Sequence, residues 1–307
     1  MRRIAALLLA LSCANVFCAF GETIRVTTWN LQWFPAGSAK SLPPAVEQQR
    51  IAAAAEQLKI LNPDVLLLQE IRDWDTCERL IAALRPVEYQ TLVCSAFRES
   101  FGGGIGRQQV AILAKREAQA AWSETWKHRG KVDPPRGFAF ATIRYGGRDV
   151  GFYSLHLKSN LVWRNGDVEA QLNIAKRESA ADQLVQHIED VRTSIMPSVS
   201  TVILGGDFNT NKDQPLFISE RTLDVIQEAG FANVHEKRPL SARVTHPGKG
   251  KYPDATFDYL FSKNLNQVGK PTMIESAISD HRPVTCDFEI PLSPPEPPLR
   301  KGNGWLN

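Results

Sequence analysis

The 307-residue sequence has little excess of charge, because 36 lysine and arginine residues stand against 33 aspartate and glutamate residues. A net charge of +3 does not define a strongly basic nucleic-acid binder, so any site for a polyanion must come from locally clustered charge. Internal repeats are absent, and 43% of the residues are hydrophobic. A chain of this length and composition can bury a core without disulfide or metal staples, which excludes disordered, collagen-like and disulfide-dependent small proteins.

Long apolar runs are also absent, except near the first residue. Two arginines precede an apolar run from Ile4 to Leu11, and Ala19-Phe20-Gly21 has the small-x-small pattern of a cleavage site. Residues 1–21 are therefore predicted to be a secretory signal peptide. A membrane anchor is the alternative, but the run is shorter than the roughly 20 residues that a span needs. We expect an exported protein, periplasmic or extracellular, with no transmembrane segment after cleavage and no protein partner.

Cysteine is scarce in the rest of the chain, where only Cys77, Cys94 and Cys286 occur. Because export permits disulfides, Cys77 and Cys94 are predicted to pair. In the chain-entropy treatment such a loop contributes about 3 kcal/mol. Cys286 alternates with Val284 and Phe288, a pattern typical of a small buried core residue.

Short strand-like segments alternate with four helical stretches. Helices are predicted near residues 45–61, 76–84, 167–190 and 220–229, and strands near 24–30, 65–70, 89–94, 110–114, 138–145, 150–158, 202–207, 256–262 and 283–290. Several strands are apolar on both faces, as in sheets that are covered on both sides. The pattern predicts a layered α/β sandwich over residues 22–290, followed by a proline-rich tail over residues 291–307.

Polar residues gather at the ends of these strands. The residues that follow apolar runs are Asn30, Glu70, His156, Asp207 and Asn209, and those that precede them are Arg107, Gln108, Asp258, Asp280 and His281. In antiparallel neighbours these two kinds of end share one rim, so all could line one cleft. Any one of them alone is more often a turn cap or a solvated group. Four converging carboxylates, however, would repel one another without a hard cation, which favours Mg²⁺ over zinc.

Six short motifs follow one another along the chain. They are Thr28-Trp29-Asn30, Leu68-Gln69-Glu70-Ile71, Ser154-Leu155-His156, Gly205-Gly206-Asp207-Phe208-Asn209, Phe257-Asp258-Tyr259 and Ser279-Asp280-His281-Arg282-Pro283-Val284. Over about residues 24–290 the sequence thereby resembles the endonuclease/exonuclease/phosphatase superfamily, nearest to the group with deoxyribonuclease I and secreted bacterial nucleases. The resemblance implies a four-layer α/β sandwich with two central mixed β-sheets flanked by helices.

The resemblance also implies a metal site and a water-activating group. Glu70, with Asn30 and Asp280 nearby, would bind a divalent ion, Mg²⁺ with Mn²⁺ or Ca²⁺ as alternatives. Asp207 would orient or deprotonate the attacking water. Asn209 would help to hold the phosphate.

Two histidines complete the implied catalytic set. His281, polarised by Asp258, would act as base or stabilise the charge of the transition state. His156 would face the scissile phosphate from the other side and could protonate the leaving oxygen. Deoxyribonuclease I has a glutamate as partner of the matching histidine, but Gln108 stands there in this chain. Glutamine does not raise the pKa of an imidazole as a carboxylate does, so the resemblance supports the position of His156 more than its role as acid.

Three residues are candidates for contact with the substrate phosphate, namely Arg107, Gln108 and Arg136. Arg136 matches a family arginine that reaches the phosphate side of the cleft, with a structural ion pair as the alternative.

The substrate must be read from the loops. Basic residues gather in three segments that are predicted to border the rim: Lys127, His128, Arg129 and Lys131; Lys158 and Arg164; Arg243, Lys249 and Lys251. A solvated surface explains any single segment. Three around one cleft, with Trp163 able to stack on a base, favour a long polyanion.

The sequence therefore predicts a secreted metal-dependent phosphodiesterase. The first hypothesis is a non-specific endonuclease that hydrolyses DNA, with RNA as the other possible substrate. The alternative is a sphingomyelinase-like or small-phosphoester phosphodiesterase or phosphatase of the same superfamily. A pseudoenzyme that only binds nucleic acid or a surface partner is less favoured, because each main position keeps a chemically competent residue.

Overall fold

The computed structural model describes residues 21–99, 103–162, 166–250 and 252–291. The predicted signal peptide and proline-rich tail lie outside these residues, apart from their border positions. The strands are β1 (Glu22–Phe34), β2 (Val65–Ile71), β3 (Gln90–Cys94), β4 (Gln109–Ala114), β5 (Ala118–Thr125), β6 (Gly137–Tyr145), β7 (Arg148–His156), β8 (Val199–Asp207), β9 (Ala232–Asn233), β10 (Asp258–Lys263), β11 (Asn266–Met273) and β12 (Val284–Ile290). The helices are α1 (Pro44–Leu61), α2 (Trp74–Leu84), α3 (Gly166–Asp190) and α4 (Thr222–Glu228).

Two six-stranded sheets form the centre of the protein. The strand order is β11-β12-β1-β2-β4-β3 in the first sheet and β5-β6-β7-β8-β10-β9 in the second. Both sheets are mixed, because β1–β2 and β7–β8 are parallel pairs among antiparallel neighbours. Helices α1 and α2 cover the outer face of the first sheet, and α3 and α4 cover that of the second. The predicted four-layer α/β sandwich is confirmed.

Strand β2 shows how the sequence specifies these layers. Side chains alternate between the two faces of a strand, so Leu66 and Leu68 pack against α1 and α2, while Val65 and Leu67 pack between the two sheets. All seven residues of β2 are buried, which explains its continuous apolar pattern. No helix among the described residues is long and apolar enough to cross a membrane.

The two sheets meet closely just below the edge where the polar strand ends lie. A Cβ atom at Gly205 would lie 2.6 Å from the Leu67 side chain, so glycine permits the close approach. Beside it, Gln69 Nε2 of the first sheet donates to Ser154 Oγ of the second at 3.0 Å, and to Thr28 Oγ1 at 3.2 Å. We call Thr28, Gln69 and Ser154 the inter-sheet clamp. Its members are one or two residues from predicted site positions.

We expect Gln69→Leu to lower the free energy of unfolding by about 2 kcal/mol, because it removes the donor to the buried Thr28 and Ser154 hydroxyl groups, of which Ser154 keeps its bond to the Leu68 carbonyl. Catalysis should fall as well, since the clamp holds strands of both sheets. Urea unfolding and initial hydrolysis rates measure the two effects. Gln49→Leu on the exposed side of α1 is the matched control, with stability within about 0.5 kcal/mol of wild type. A Gln69→Leu protein as stable and active as this control would show that the clamp is dispensable.

Of the three cysteines, Cys77 and Cys286 are buried and Cys94 is half-buried. Cys77 and Cys94 are free thiols in the structure, so the predicted disulfide is not formed there. The two are close enough to interact, because a hydrogen bond with Cys94, together with burial, raises the pKa of Cys77 well above its usual value. Their pairing therefore stays a prediction. Cys286 is a buried core residue beside Val284 and Phe288, as expected.

Candidate active site

A cleft of about 1120 Å³ opens at the edge of the sandwich above the clamp. It lies at the ends of β1, β2, β7 and β8, at the start of β10 and before β12. Its volume is above the usual range for small-molecule pockets, about 300–1,000 Å³. The cleft can therefore admit a ligand larger than a single metabolite.

Two carboxylates from different sheets meet at its floor. Asn30 Nδ2 donates to Glu70 Oε1 at 3.2 Å and to Asp207 Oδ2 at 3.0 Å, while Asn30 Oδ1 accepts from the Gln32 amide at 2.9 Å. Glu70 Oε2 accepts from the Trp33 amide at 2.7 Å. In this arrangement the Asn30 amide nitrogen donates to both carboxylates, and its amide oxygen accepts from the backbone.

A β-bulge aims the Glu70 side chain at the cleft. The pairing of β2 with β4 shifts between Gln69 and Ile71, and Glu70 has φ of +59°. This left-handed conformation is unusual for a residue other than glycine. A bulge turns a side chain away from the strand's regular alternation, and here it brings a carboxylate toward the second sheet.

His281 and Asp258 form a buried pair on the other side of Asp207. His281 Nδ1 lies 2.8 Å from Asp258 Oδ2, and His281 Nε2 lies 3.8 Å from Asp207 Oδ2. Burial would lower the pKa of His281, but the negative charges of Asp258 and Asp207 outweigh it and raise the pKa to about 10. Burial and the charge of Asp258 raise the pKa of Asp207 to about 7, against the opposing effect of His281.

His156 faces the same carboxylates from β7. Its Nε2 lies 3.6 Å from Asp207 Oδ2 and 3.8 Å from Glu70 Oε1. Burial, with the positive charge of Arg136, lowers the pKa of His156 well below its usual value. Gln108 Oε1 accepts from Arg136 Nη1 at 3.4 Å, and His156 Nδ1 has no hydrogen-bond partner among the described residues. His156 is thus a neutral imidazole in the metal-free protein at pH 7.

Backbone contacts hold the surrounding groups in place. Arg136 donates to the His156 carbonyl at 3.1 Å and to the Leu157 carbonyl at 2.8 Å. The Asn209 amide donates to Asp207 Oδ1 at 2.9 Å, and Asn209 Nδ2 donates to the Leu157 carbonyl at 3.3 Å. Arg136 therefore positions the loop after β7, and its half-buried side chain also lines the cleft.

Nearly all predicted site residues thus come together. Asp280 lines the cleft at its rim, where its side chain is half exposed and Oδ2 lies 4.0 Å from His246 Nε2. Arg107 does not line the cleft; it donates to Ser41 Oγ at 2.9 Å and borders a small neighbouring cavity.

The residues present fit a divalent cation. Glu70, Asp207 and Asp258 are buried carboxylates around one floor, and Asp258 Oδ1 has no hydrogen-bond partner among the described residues. The raised pKa of Asp207 shows that negative charge there is poorly compensated, and a hard cation with oxygen ligands would relieve it. Asp207, Asp258 and His281 also form a compact group able to hold a metal ion.

The sequence did not point to several cleft residues. His246 packs edge-on against His281, with ring centroids 4.9 Å apart, and Leu161, Leu216 and Tyr252 line the walls. They lie in loops without apolar periodicity, so only long-range folding places them here. The sequence around His246 gave no local signal, because the link of its neighbour Thr245 to the site is a contact of the fold, in which the Thr245 hydroxyl accepts from the Asp258 amide at 3.1 Å.

His235, behind Asp258, should make stability depend on pH. Its Nε2 lies 3.2 Å from the Asp258 carbonyl, and burial lowers its pKa from 6.5 to about 4. The unfolded chain then binds a proton more readily, so stability is lost as pH falls below 6.5 and the loss is complete near pH 4. At pH 5 we expect it to reach about 2 kcal/mol.

Urea unfolding at pH 7.5 and pH 5 tests this for wild type and His235→Gln. Between the two pH values, the free energy of unfolding of the variant should fall by about 2 kcal/mol less than that of wild type. His128→Gln, which removes an exposed histidine, should behave as wild type. Equal losses in all three proteins would contradict the assignment.

The sequence also matches the model of a known protein family. The sequence model of the Endonuclease/Exonuclease/phosphatase family matches residues 27–281. The chain belongs to this family, whose members are hydrolases that cleave phosphoester bonds and generally depend on divalent metals. No curated protein sequence matches it significantly.

Solved structures share the fold at low sequence identity. A family protein from Leptotrichia buccalis C-1013-b has a TM-score of 0.58 and 20% identity, covering 87% of this chain and 100% of its own. The human Nocturnin catalytic domain with bound sulfate has a TM-score of 0.60 and 18% sequence identity, and the match covers 87% of this chain and 94% of that domain. D. rerio TDP2 complexed with single strand DNA product has a TM-score of 0.59 and 16% sequence identity, and the match covers 87% of this chain and 99% of the TDP2 chain.

Proposed function

We propose that this protein is an exported, divalent-metal-dependent phosphodiesterase that cleaves nucleic acid internally, in the manner of deoxyribonuclease I. The convergence of Glu70, Asp207, His156 and the His281–Asp258 pair in one open cleft carries the proposal. These groups supply a cation site, a carboxylate for water and a buried positive charge, which phosphodiester hydrolysis requires. Export rests on the pattern of residues 1–21.

The bound metal would polarise a phosphoryl oxygen and neutralise developing charge. Glu70 would hold it, with Asp280 able to approach from the rim. Asp207 Oδ2 lies between His281 Nε2 and His156 Nε2, at 3.8 and 3.6 Å, so a water beside this oxygen is within reach of both rings. Asp207 orients that water and takes its proton.

The two histidines have different charge states in the metal-free protein. Asp258 and Asp207 keep His281 positively charged at pH 7, so it stabilises negative charge on the phosphoryl oxygens better than it serves as a base. Asp258 fixes the ring through Nδ1 and leaves Nε2 toward the cleft. Neutral His156 holds a hydrogen bond to the substrate, and Asn209 orients the phosphate.

Incubation of residues 22–307 with supercoiled plasmid, with and without EDTA, tests the proposal. Nicking that requires Mg²⁺, Mn²⁺ or Ca²⁺ and is lost in His281→Ala would support a nuclease that uses this cleft. Intact plasmid and intact single-stranded DNA under all three metals would overturn it.

The apolar cleft wall favours a second candidate, a phosphodiesterase for phospholipid headgroups or small phosphoesters. Leu161, Val162 and Leu216 are exposed there and could contact an apolar leaving group. Release of phosphocholine from sphingomyelin vesicles, with no plasmid cleavage, would establish this candidate.

A further inference from the structure

The walls of the cleft differ in chemistry from its floor. The floor carries carboxylates and imidazoles, whereas the walls carry exposed apolar side chains: Leu161 (55% exposed), Val162 (41%), Leu216 (47%) and Tyr252 (60%). Single exposed apolar residues are ordinary, but a group of them around a cleft indicates contact with an apolar ligand surface. A substrate phosphate on the floor would therefore have an apolar or aromatic group of the same molecule beside it.

Most of the cationic side chains on the same walls are held by protein groups. Arg136 and Arg282 line the cleft, but Arg136 donates to two backbone carbonyls and Arg282 is paired with Glu275. In the described parts of the three predicted basic segments, Lys249 alone lines the cleft. Arg243 is paired with Asp213, and Arg164 and Lys251 lie outside the described residues. Duplex DNA is bound mainly through the phosphates of its backbone, which takes several lysine or arginine side chains. The described walls do not provide that surface.

Lys249 and Tyr252 occupy paired positions of one hairpin. The Lys249 amide donates to the Tyr252 carbonyl at 3.0 Å, and the Tyr252 amide donates to the Lys249 carbonyl at 3.1 Å. We call residues 246–250 and 252–255 the cleft hairpin. At its base His246 packs against His281. The backbone pairing thus places a cation and an aromatic residue together on a wall of the cleft, in the same hairpin as His246.

We propose that the cleft takes single-stranded nucleic acid, with an unpaired base on Tyr252, a neighbouring phosphate at Lys249 and the opposite side of the nucleotide against Leu161 and Leu216. This inference rests on the proposed nuclease function. Bases stack on aromatic side chains whatever the sequence, and lysine contacts the backbone. A base within a duplex does not offer its face to Tyr252, so duplex DNA is the poorer substrate.

A lipid surface fits the walls less well. Proteins that bind the membrane interface combine apolar residues with several lysines or arginines that meet anionic headgroups. Among the described residues one lysine and two arginines line the cleft. Arg136 and Arg282 are held by protein groups, whereas Lys249 is paired with an aromatic position. One base and one phosphate of a single strand match this pair.

One oligonucleotide of about 20 nucleotides, long enough to cover several binding positions, tests the inference as a free strand and annealed to its complement. With Mg²⁺ and wild-type protein, kcat/KM should be at least about 10-fold higher for the free strand. Tyr252→Ala should lower the single-strand value about 10-fold, mainly through KM, whereas Tyr252→Phe should keep it, because stacking needs the ring and not the hydroxyl.

Removing the base checks which contact is lost. With wild-type protein, abasic sites beside the cleaved bond should lower kcat/KM by the same factor as Tyr252→Ala does on the normal strand. Combining the abasic strand with Tyr252→Ala should lower kcat/KM little further, because both changes remove the same interaction. Leu216→Ser should also weaken single-strand cleavage. Ile60→Ser, at an exposed aliphatic residue of α1 outside the cleft, is the matched control and should act as wild type.

The outcomes separate this inference from the proposed function. Equal kcat/KM for both DNA forms, or a Tyr252→Ala protein with unchanged single-strand cleavage, would overturn single-strand recognition and leave the nuclease standing. Cleavage of neither form, with hydrolysis of sphingomyelin vesicles, would overturn both. A single-strand preference lost in Tyr252→Ala, with wild-type cleavage by Ile60→Ser, would support it.

Discussion

Replacing His281 with alanine is expected to lower the phosphodiester hydrolysis rate by up to about 1,000-fold, the upper end of the range known for loss of one group that stabilises transition-state charge. The ring is buried, hydrogen-bonded to Asp258 at 2.8 Å and directed at Asp207 through Nε2. Its removal takes away the positive charge that faces the developing charge on the phosphoryl group. Single-turnover rates at saturating metal would measure the loss without a contribution from product release.

Two further variants separate chemistry from folding. Asp258→Asn keeps the shape of the pair but removes the charge that holds His281 protonated, so we expect a smaller loss, about 10- to 100-fold. His128→Ala, on an exposed loop outside the cleft, should retain full activity. If His281→Ala kept more than a tenth of the wild-type rate, the ring would have no direct part in the reaction.

Replacing Glu70 with glutamine is expected to have the next largest effect, a loss of at least about 100-fold at low metal concentration. Glutamine keeps the length of the side chain but removes the negative charge that a hard cation prefers. The loss should shrink as the metal concentration rises, because the cation can still be held weakly by the remaining oxygens. Calorimetric titration of Mg²⁺ or Mn²⁺ into substrate-free protein measures the same change without turnover.

Glu275→Gln is the matched control for this charge removal. Glu275 lines the same cleft but is paired with Arg282 and is largely exposed. We expect its metal titration and activity to stay within about twofold of wild type, since surface ion pairs have little effect. A similar loss in both variants would mean that the cleft attracts cations only through its overall charge.

The sequence predicted the strands that are buried on one or both faces. Strands β5, β9 and β11 were not predicted, and all three form sheet edges. Residues of β5 are half-buried or exposed, and β11 is mostly exposed and contains Gly269 and Lys270-Pro271. Edge strands need no apolar alternation and often carry charge or proline. Their pairing comes from the neighbouring strand, which local sequence does not reveal.

The floor of the site was predictable for a related reason. A polar residue that ends an apolar run, such as Glu70 or His156, is conspicuous because the strand before it is buried. The walls gave no such signal. Leu161, Leu216 and Tyr252 lie outside the main strands and helices, and their exposure in a shared cleft follows from contacts between distant parts of the chain.

The position of β12 has a consequence for how the protein becomes active during synthesis. β12 pairs with β1 from Glu22↔Ile290 to Thr28↔Val284, and the Trp29 indole donates to the His281 carbonyl at 3.0 Å. β1 can pair with β2 early, but its other edge is paired only after β12 has been made, and such non-local pairing is slow to form. A growing chain cannot assemble the catalytic floor before residues near 290 have been made, so hydrolysis begins only once synthesis of the folded unit has ended.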